Sequence, residues 1–193
     1  MLREGEAIQI ISARLSRHRL QHSLNVAQTA RELARYHGAD DSKAYLIGLL
    51  HDYAKNLLPQ EILAVARSAA LIEHDIENRV PDLLHARVGA YLLARDLHIE
   101  DEEILQAVRA HTLGSTNMGI MDKIIFLADM IEPSRTMYPD LERLRQLSPL
   151  DLDRAMLLGL ESTIRYCLQR SRLLHPHAVE ARNMFLLLLA GQN

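Results

Sequence analysis

The sequence GLLHDYAK, residues 48–55, ends an apolar helix in an imidazole, a carboxylate and an ammonium, carried by His51, Asp52 and Lys55. Burying such groups is costly unless a partner satisfies them, and a transition-metal cation is a good partner for imidazole and carboxylate. Adjacent residues on a helix lie about 100° apart, so His51 and Asp52 can face one site only where the helix ends or bends. Taken alone, the pair also fits an exposed helix terminus, so the choice between a metal site and a solvated helix end depends on the other residues of the chain.

Helical periodicity continues from this stretch along the whole chain, and no run of alternating β-branched residues indicates a strand. Gly38 is placed to end one helix, and Pro59 and Pro176 are placed to begin others. The sequence therefore predicts an all-α helical bundle in a single domain, residues 1–193. Its helices are expected at about 4–15, 20–37, 40–54, 59–70, 81–97, 101–111, 122–131, 139–147, 151–169 and from 176 onward.

Composition excludes several classes of function. The chain has 22 Lys and Arg against 25 Asp and Glu, a formal net charge of −3, which argues against nucleic-acid binding because that needs a basic face. The single Cys167 excludes an internal disulfide, and the longest apolar run, residues 184–190, is far short of a membrane span. With no signal-peptide pattern at the N-terminus, we expect a cytoplasmic protein without a membrane partner.

Four further side chains place ligand-type residues among apolar helical neighbours. His22 shares a helix face with Val26, and Asp129 lies within the apolar run 124–131. A lone histidine on such a face is more often a satisfied core residue, and an embedded aspartate can bond a backbone group instead. His85 and His111 stand in similar surroundings. Metal binding is favoured because one chain holds six such candidates: His22, His51, Asp52, His85, His111 and Asp129.

The ordered pattern of a histidine, a His-Asp pair and a later aspartate resembles the HD superfamily of metal-dependent phosphohydrolases. The two intervening histidines resemble the subset of that superfamily that holds two metal ions. Longer stretches are similar to the bacterial YqeK family, symmetrical hydrolases that split diadenosine tetraphosphate into two ADP. These stretches are HSLNVA (22–27), GLLHDYAK (48–55), LHARVGA (84–90), AHTLG (110–114), LADMIEPSR (127–135) and HPHAVEARN (175–183).

The resemblance covers residues 18–185 and implies an HD core at about 18–135 with the C-terminal helices packed on it. The chain departs from the family pattern at Ser134, where the family has glycine, in the loop 115–117 and at His177. None of these positions is a candidate ligand, so the departures concern the substrate preference rather than metal binding.

The resemblance assigns His22, His51, Asp52 and Asp129 to one metal ion, with Asp52 bridging to a second ion on His85 and His111. Four imidazoles and two carboxylates suit iron, manganese or cobalt better than magnesium, which prefers oxygen ligands. We therefore expect two transition-metal ions, with iron first and manganese or cobalt as alternatives. Such a pair stabilises both oxygens of an in-line displacement. ADP would be the leaving group, and Asp52 and Lys55 the catalytic side chains, with an ordinary solvated helix-end lysine as the alternative for Lys55.

Candidate substrate contacts are basic or hydrogen-bonding side chains near these ligands. Arg135 can bind phosphate oxygens bidentately, and the hydroxyl of Thr112 can donate to one. Arg19 is a further basic candidate, for which an ordinary surface arginine is an equal alternative. The resemblance adds Arg172 and His175 as contacts to the nucleotide.

Two other functions remain open from the sequence. One is an HD phosphohydrolase acting on another nucleotide, and the other is a non-catalytic nucleotide-sensing HD module. The presence of all six ligand candidates argues against the second. The apolar run 185–190 indicates either closure of the core or a homodimer contact, and the sequence does not choose between them.

Overall fold

The computed structural model of the protein describes residues 2–191, which contain helices and turns but no strand. The all-α prediction is confirmed for this part of the chain. Its α-helices are α1 (Glu4–Arg14), α2 (Arg17–Tyr36), α3 (Asp41–Leu50), α4 (Pro59–Ser68), α5 (Asp75–Arg79), α6 (His85–Leu97), α7 (Glu102–Ala110), α8 (Ile120–Ile131), α9 (Leu141–Leu147), α10 (Leu152–Gln169) and α11 (Pro176–Ala190).

Helix α3 is shorter than predicted, because it ends at Leu50 and residues 51–56 form turns. The Nδ1 atom of His51 donates to the carbonyl oxygen of Gly48 at 2.7 Å, which satisfies one of the carbonyls left free at a helix end. The apolar pattern runs on to Ala54 because Tyr53 and Ala54 remain buried in the turns. The chain therefore bends at the point where His51 and Asp52 need a bend in order to face one site.

The segment before α6 also differs from prediction. Helix α5 was not predicted, because its five residues, DIENR, are mostly polar and have no apolar period. Pro81 opens a 3₁₀ turn, Pro81–Leu84, and α6 begins only at His85. Glu77 of α5 is fully buried, where it pairs with Arg87 of α6 and lies 2.9 Å from His175 Nε2 at the start of α11. A buried ionic cluster thus joins three helices.

Helices α2 and α3 meet at backbone distance. A Cβ atom added to Gly48 would lie 2.5 Å from Ala27 Cα and 2.8 Å from Ala27 N, well inside ordinary contact. Glycine at position 48 permits this approach. The contact fixes α3, which has His51 at its end, directly against α2, which carries His22.

The C-terminal helices pack onto the same core, with α10 lying against α8 and α11. In α11, Phe185 is buried whereas Leu187 is 73% exposed. The apolar C-terminal run therefore closes the core only in part, and the homodimer contact stays a prediction. Within residues 2–191, no helix has both the length and the apolar character needed to cross a membrane.

Candidate metal centre

Five elements bring the six candidate ligands together. His22 lies within α2 and Asp129 lies within α8. The other four stand at helix ends, with His51–Asp52 directly after α3, His85 at the start of α6 and His111 directly after α7. All of the ligand atoms lie in the same part of the core, although the residues span more than half of the chain.

Three of the histidines are held by the same local hydrogen bond. Nδ1 of His51, His85 and His111 donates to the carbonyl oxygen three residues earlier, at 2.7, 2.5 and 2.7 Å. A carbonyl only accepts, so Nδ1 carries the proton and Nε2 keeps its lone pair. Burial lowers the pKa of His51, and burial with the neighbouring histidines lowers the pKa of His111 to about 3. Both rings are therefore neutral near pH 7, which is the form that binds a metal ion.

Asp52 lies between two sets of donor atoms. Its Oδ2 atom is 3.9 Å from Nε2 of His22 and 3.7 Å from Nε2 of His51. Its Oδ1 atom is 3.3 Å from Nε2 of His85 and 3.8 Å from Nε2 of His111. One carboxylate therefore offers one oxygen to each pair of imidazoles.

Asp129 completes the first donor set, since its Oδ1 atom lies 2.9 Å from His22 Nε2 and 3.9 Å from His51 Nε2. The ligand atoms of these three residues lie within 4.8 Å of one another, as do those of His51, Asp52 and His111. Each group is compact enough to hold one metal ion.

The donor chemistry fits metal ions. Because Nδ1 of His22 donates to Glu132, its Nε2 atom keeps a lone pair, which faces the Asp129 carboxylate at 2.9 Å with no hydrogen between them. Nε2 of His51 is likewise buried without a hydrogen-bond partner within residues 2–191. Buried polar atoms are almost always satisfied, so an orphaned pair in one place indicates a missing partner. Nε2 of His85 and Nε2 of His111 also face each other at 3.0 Å. These lone pairs repel unless a cation or a proton lies between them.

Glu132 is a functional candidate that the sequence reasoning did not single out. It is 1% exposed, and its Oε1 atom accepts from His22 Nδ1 at 3.1 Å. Asn25 Nδ2 and the Ser134 hydroxyl donate to the same carboxylate at 3.1 and 2.7 Å. Burial raises the pKa of Glu132, but these donors outweigh burial and lower it. A carboxylate in this position orients a histidine ligand and raises its basicity. The only signal in the sequence was its place three residues after Asp129.

A cavity of about 240 Å³ opens beside the donor sets. Arg19 Nη1 donates to Asp52 Oδ2 at 3.1 Å, and Arg135 pairs with Asp129. The cavity is lined by five of the side chains that the sequence predicts to be catalytic or substrate-binding, namely Arg19, Asp52, Lys55, Thr112 and Arg135.

Lys55 and Thr112 stand on the wall formed by the second donor set. Lys55 Nζ lies 2.9 Å from Asp82 Oδ2, an exposed carboxylate that solvent or a substrate can replace. The Thr112 hydroxyl lies 3.2 Å from Nε2 of His85 and 3.2 Å from Nε2 of His111. Both side chains therefore present donors at the edge of the histidine cluster.

The structure does not bring His175 or Arg172 to this cavity. His175 is 2% exposed, and its two ring nitrogens are engaged by Glu77 and by the backbone N–H of His177. These bonds leave no ring nitrogen of His175 for the predicted nucleotide contact. Arg172 instead lies 5.2 Å from the centre of the Tyr166 ring, beside a neighbouring cavity.

Comparison with known proteins agrees with this architecture. The HD domain family model matches residues 19–134. A protein of Halalkalibacterium halodurans named symmetrical bis(5'-nucleosyl)-tetraphosphatase is 40% identical over 96% of this chain and 98% of its own length. A Bacillus subtilis protein of the same name is 35% identical over 89% of this chain and 91% of its own length.

A solved structure from Clostridium acetobutylicum gives the same result for the fold. It is described as a predicted HD superfamily hydrolase involved in NAD metabolism. It superposes with a TM-score of 0.91 at 33% identity, over 96% of this chain and 98% of the other. The chain therefore belongs to the HD-domain family and, within it, to the family of the symmetrical bis(5'-nucleosyl)-tetraphosphatases.

Proposed function

We propose that this chain is a metal-dependent hydrolase that cleaves diadenosine tetraphosphate symmetrically into two ADP. The observation that carries the proposal is the position of Asp52, which offers one carboxylate oxygen to each of two imidazole pairs. A two-ion site of this kind suits the in-line opening of a phosphoanhydride. The relatives named for this activity align along almost the whole chain.

The proposed ligands form two sets that share Asp52. One ion would be held by His22, His51 and Asp129, and the other by His85 and His111. Iron is the first candidate, with manganese and cobalt as alternatives, because mixed imidazole and carboxylate ligands suit these ions better than magnesium. When bound, the ions supply Lewis-acid activation of the phosphate and of the attacking water.

The protein's own cations bind and orient the polyphosphate. Lys55 and Arg135 line the cavity, where negative charge develops on phosphate oxygens as the anhydride opens. Arg135 can contact two phosphate oxygens at once, because its guanidinium is a planar fork. Arg19 and the hydroxyl of Thr112 add donors on the same wall. Arg19 pairs with Asp52, and the Thr112 hydroxyl lies beside His85 and His111, so a phosphate bound at the metal site would lie within reach of both donors.

Product identification tests the proposal. The metal-loaded protein is incubated with diadenosine tetraphosphate, and we expect two ADP per substrate. ATP plus AMP would overturn the predicted point of attack. Asp52→Asn should abolish turnover, whereas the matched variant Asp122→Asn changes another buried aspartate away from the donor sets and should retain it.

The same assay separates the alternatives. One parallel reaction contains a nucleoside monophosphate, and another contains NAD, since the Clostridium relative is described in terms of NAD metabolism. Preferential turnover of either compound would indicate a different phosphohydrolase. A purified protein that holds no transition metal and gains no activity with iron or manganese would indicate a nucleotide-sensing module.

A further inference from the structure

A second cavity, of about 510 Å³, adjoins the metal cavity. Met130, Arg135 and Thr163 line both cavities, so the two share a wall. The metal cavity, at about 240 Å³, lies below the roughly 300–1,000 Å³ that is usual for small-molecule sites. A dinucleoside polyphosphate bound at the metal cavity would therefore extend into adjoining space.

The second cavity combines aromatic rings with a few polar groups. The Tyr138 hydroxyl donates to the carbonyl of Met130 at 3.0 Å, which fixes the Tyr138 ring. Tyr166, on α10, is 46% exposed and also lines the cavity. Ser162 and Gln169 add hydrogen-bonding groups to the lining. Flat apolar surfaces with a small number of polar groups are typical of sites that bind a nucleobase.

Positive charge connects the two cavities. Arg135 stands in the shared wall, where it pairs with the metal-ligand candidate Asp129. The guanidinium groups of Arg172 and Arg170 lie 5.2 and 6.0 Å from the centre of the Tyr166 ring, which lines the second cavity. An anionic chain that leaves the metal cavity therefore meets a cation on entering the second cavity.

We infer that this second cavity, between α8 and α10, is a subsite for one nucleoside of the substrate, with Tyr166 as the platform for its base. The inference rests on the proposed function, because it assigns the phosphates of the same molecule to the metal cavity. Arg135 contacts the phosphate that joins the two cavities. Arg172, which the sequence nominates as a nucleotide contact, supports Tyr166 rather than the metal site.

Binding measurements with and without a nucleoside test this subsite. Calorimetry on the manganese-loaded protein gives the Kd of ADP and that of methylenediphosphonate, which retains two phosphate groups but has no nucleoside. In Tyr166→Ala we expect the Kd of ADP to rise about tenfold, since stacking on an aromatic ring contributes strongly per base. The Kd of methylenediphosphonate should not change. Tyr36→Ala, which removes an exposed tyrosine of α2, serves as the matched control and should change neither.

A second variant fills the cavity. Ser162→Trp should weaken ADP binding without affecting methylenediphosphonate. An unchanged ADP affinity in both variants, or an equal loss for both compounds, would overturn the subsite. Absence of ADP binding to the unaltered protein would overturn it as well.

Failure of the proposed function is distinguishable from failure of the subsite. A protein that binds ADP through Tyr166 but leaves diadenosine tetraphosphate intact keeps the subsite and loses the proposed activity. One that forms two ADP with no effect of either variant on ADP affinity keeps the activity and loses the subsite.

Discussion

Substituting Gly48 by alanine tests whether the contact between α2 and α3 sets the metal centre. The added Cβ would lie 2.5 Å from Ala27 Cα, so the two backbones must separate by about 1 Å to restore an ordinary contact of 3.4 Å or more. Overpacking against backbone costs about 3 kcal/mol, and the better helix propensity of alanine returns about 1 kcal/mol. The net destabilisation is about 2 kcal/mol, which for a chain of this length lowers Tm by about 4–8 °C.

The matched control is Gly5→Ala, because nothing lies within 4 Å of the position that its Cβ would take. We expect Gly5→Ala to keep or slightly raise Tm, since only the propensity gain applies there. Thermal unfolding is measured on the metal-free protein to separate folding from ion binding. Chelator competition on the folded variants should show weaker binding only in Gly48→Ala, because His22 and His51 move apart with their helices. Equal Tm values for the two variants would refute the backbone contact.

Three further predictions concern single side chains. Glu132→Gln should weaken metal binding about 10–100-fold in chelator competition, because His22 loses the carboxylate that orients it. The control Glu161→Gln, on α10, should leave metal affinity unchanged. Equal metal affinities of the two variants would contradict the role of Glu132. Lys55→Met should lower kcat/KM for diadenosine tetraphosphate about 10²–10³-fold at unchanged metal content, and loss of metal instead would indicate a structural lysine. Burial raises the pKa of Asp122 to about 6, so the folded protein binds this proton more tightly than the unfolded chain, and the associated stability is lost as pH rises from about 4 to about 6. Above pH 6, Asp122→Asn should therefore be more stable than the unaltered protein, by up to about 3 kcal/mol in the free energy of unfolding measured with denaturant. A stability difference between the two proteins that does not depend on pH would contradict the raised pKa of Asp122.

The sequence was sufficient for those parts of the site that depend on residue type and local period. His22 and Asp129 stand out because ligand-type side chains interrupt apolar helix faces. The predicted end of α3 is four residues too late, because burial of Tyr53 and Ala54 in turns looks the same in sequence as burial in a helix. Periodicity cannot distinguish the two, since it reports only which residues are apolar.

Contacts between distant parts of the chain could not be predicted from such patterns. Glu132 and His22 lie 110 residues apart, and local periodicity does not tell which helices will meet. The same holds for His175, for which the resemblance implies a nucleotide contact but which lies against Glu77, 98 residues away. Helix α5, which carries Glu77, is too short and too polar to give a helical signal.

The buried cluster of Glu77, Arg87 and His175 bears on how the molecule unfolds. Burial and neighbouring cations lower the pKa of His175 to about 4, so its imidazole is neutral near pH 7 and donates a hydrogen bond to the Glu77 carboxylate. Detaching α11 removes this bond, and a hydrogen bond to a charged group contributes about 1.5–3 kcal/mol. That loss is an appreciable share of the total stability of an ordinary domain, so detachment of the start of α11 is coupled to the helices that carry the metal ligands. The chain should lose its C-terminal helix and its histidine centre in one cooperative transition, which makes α11 a structural member of the metal-binding unit.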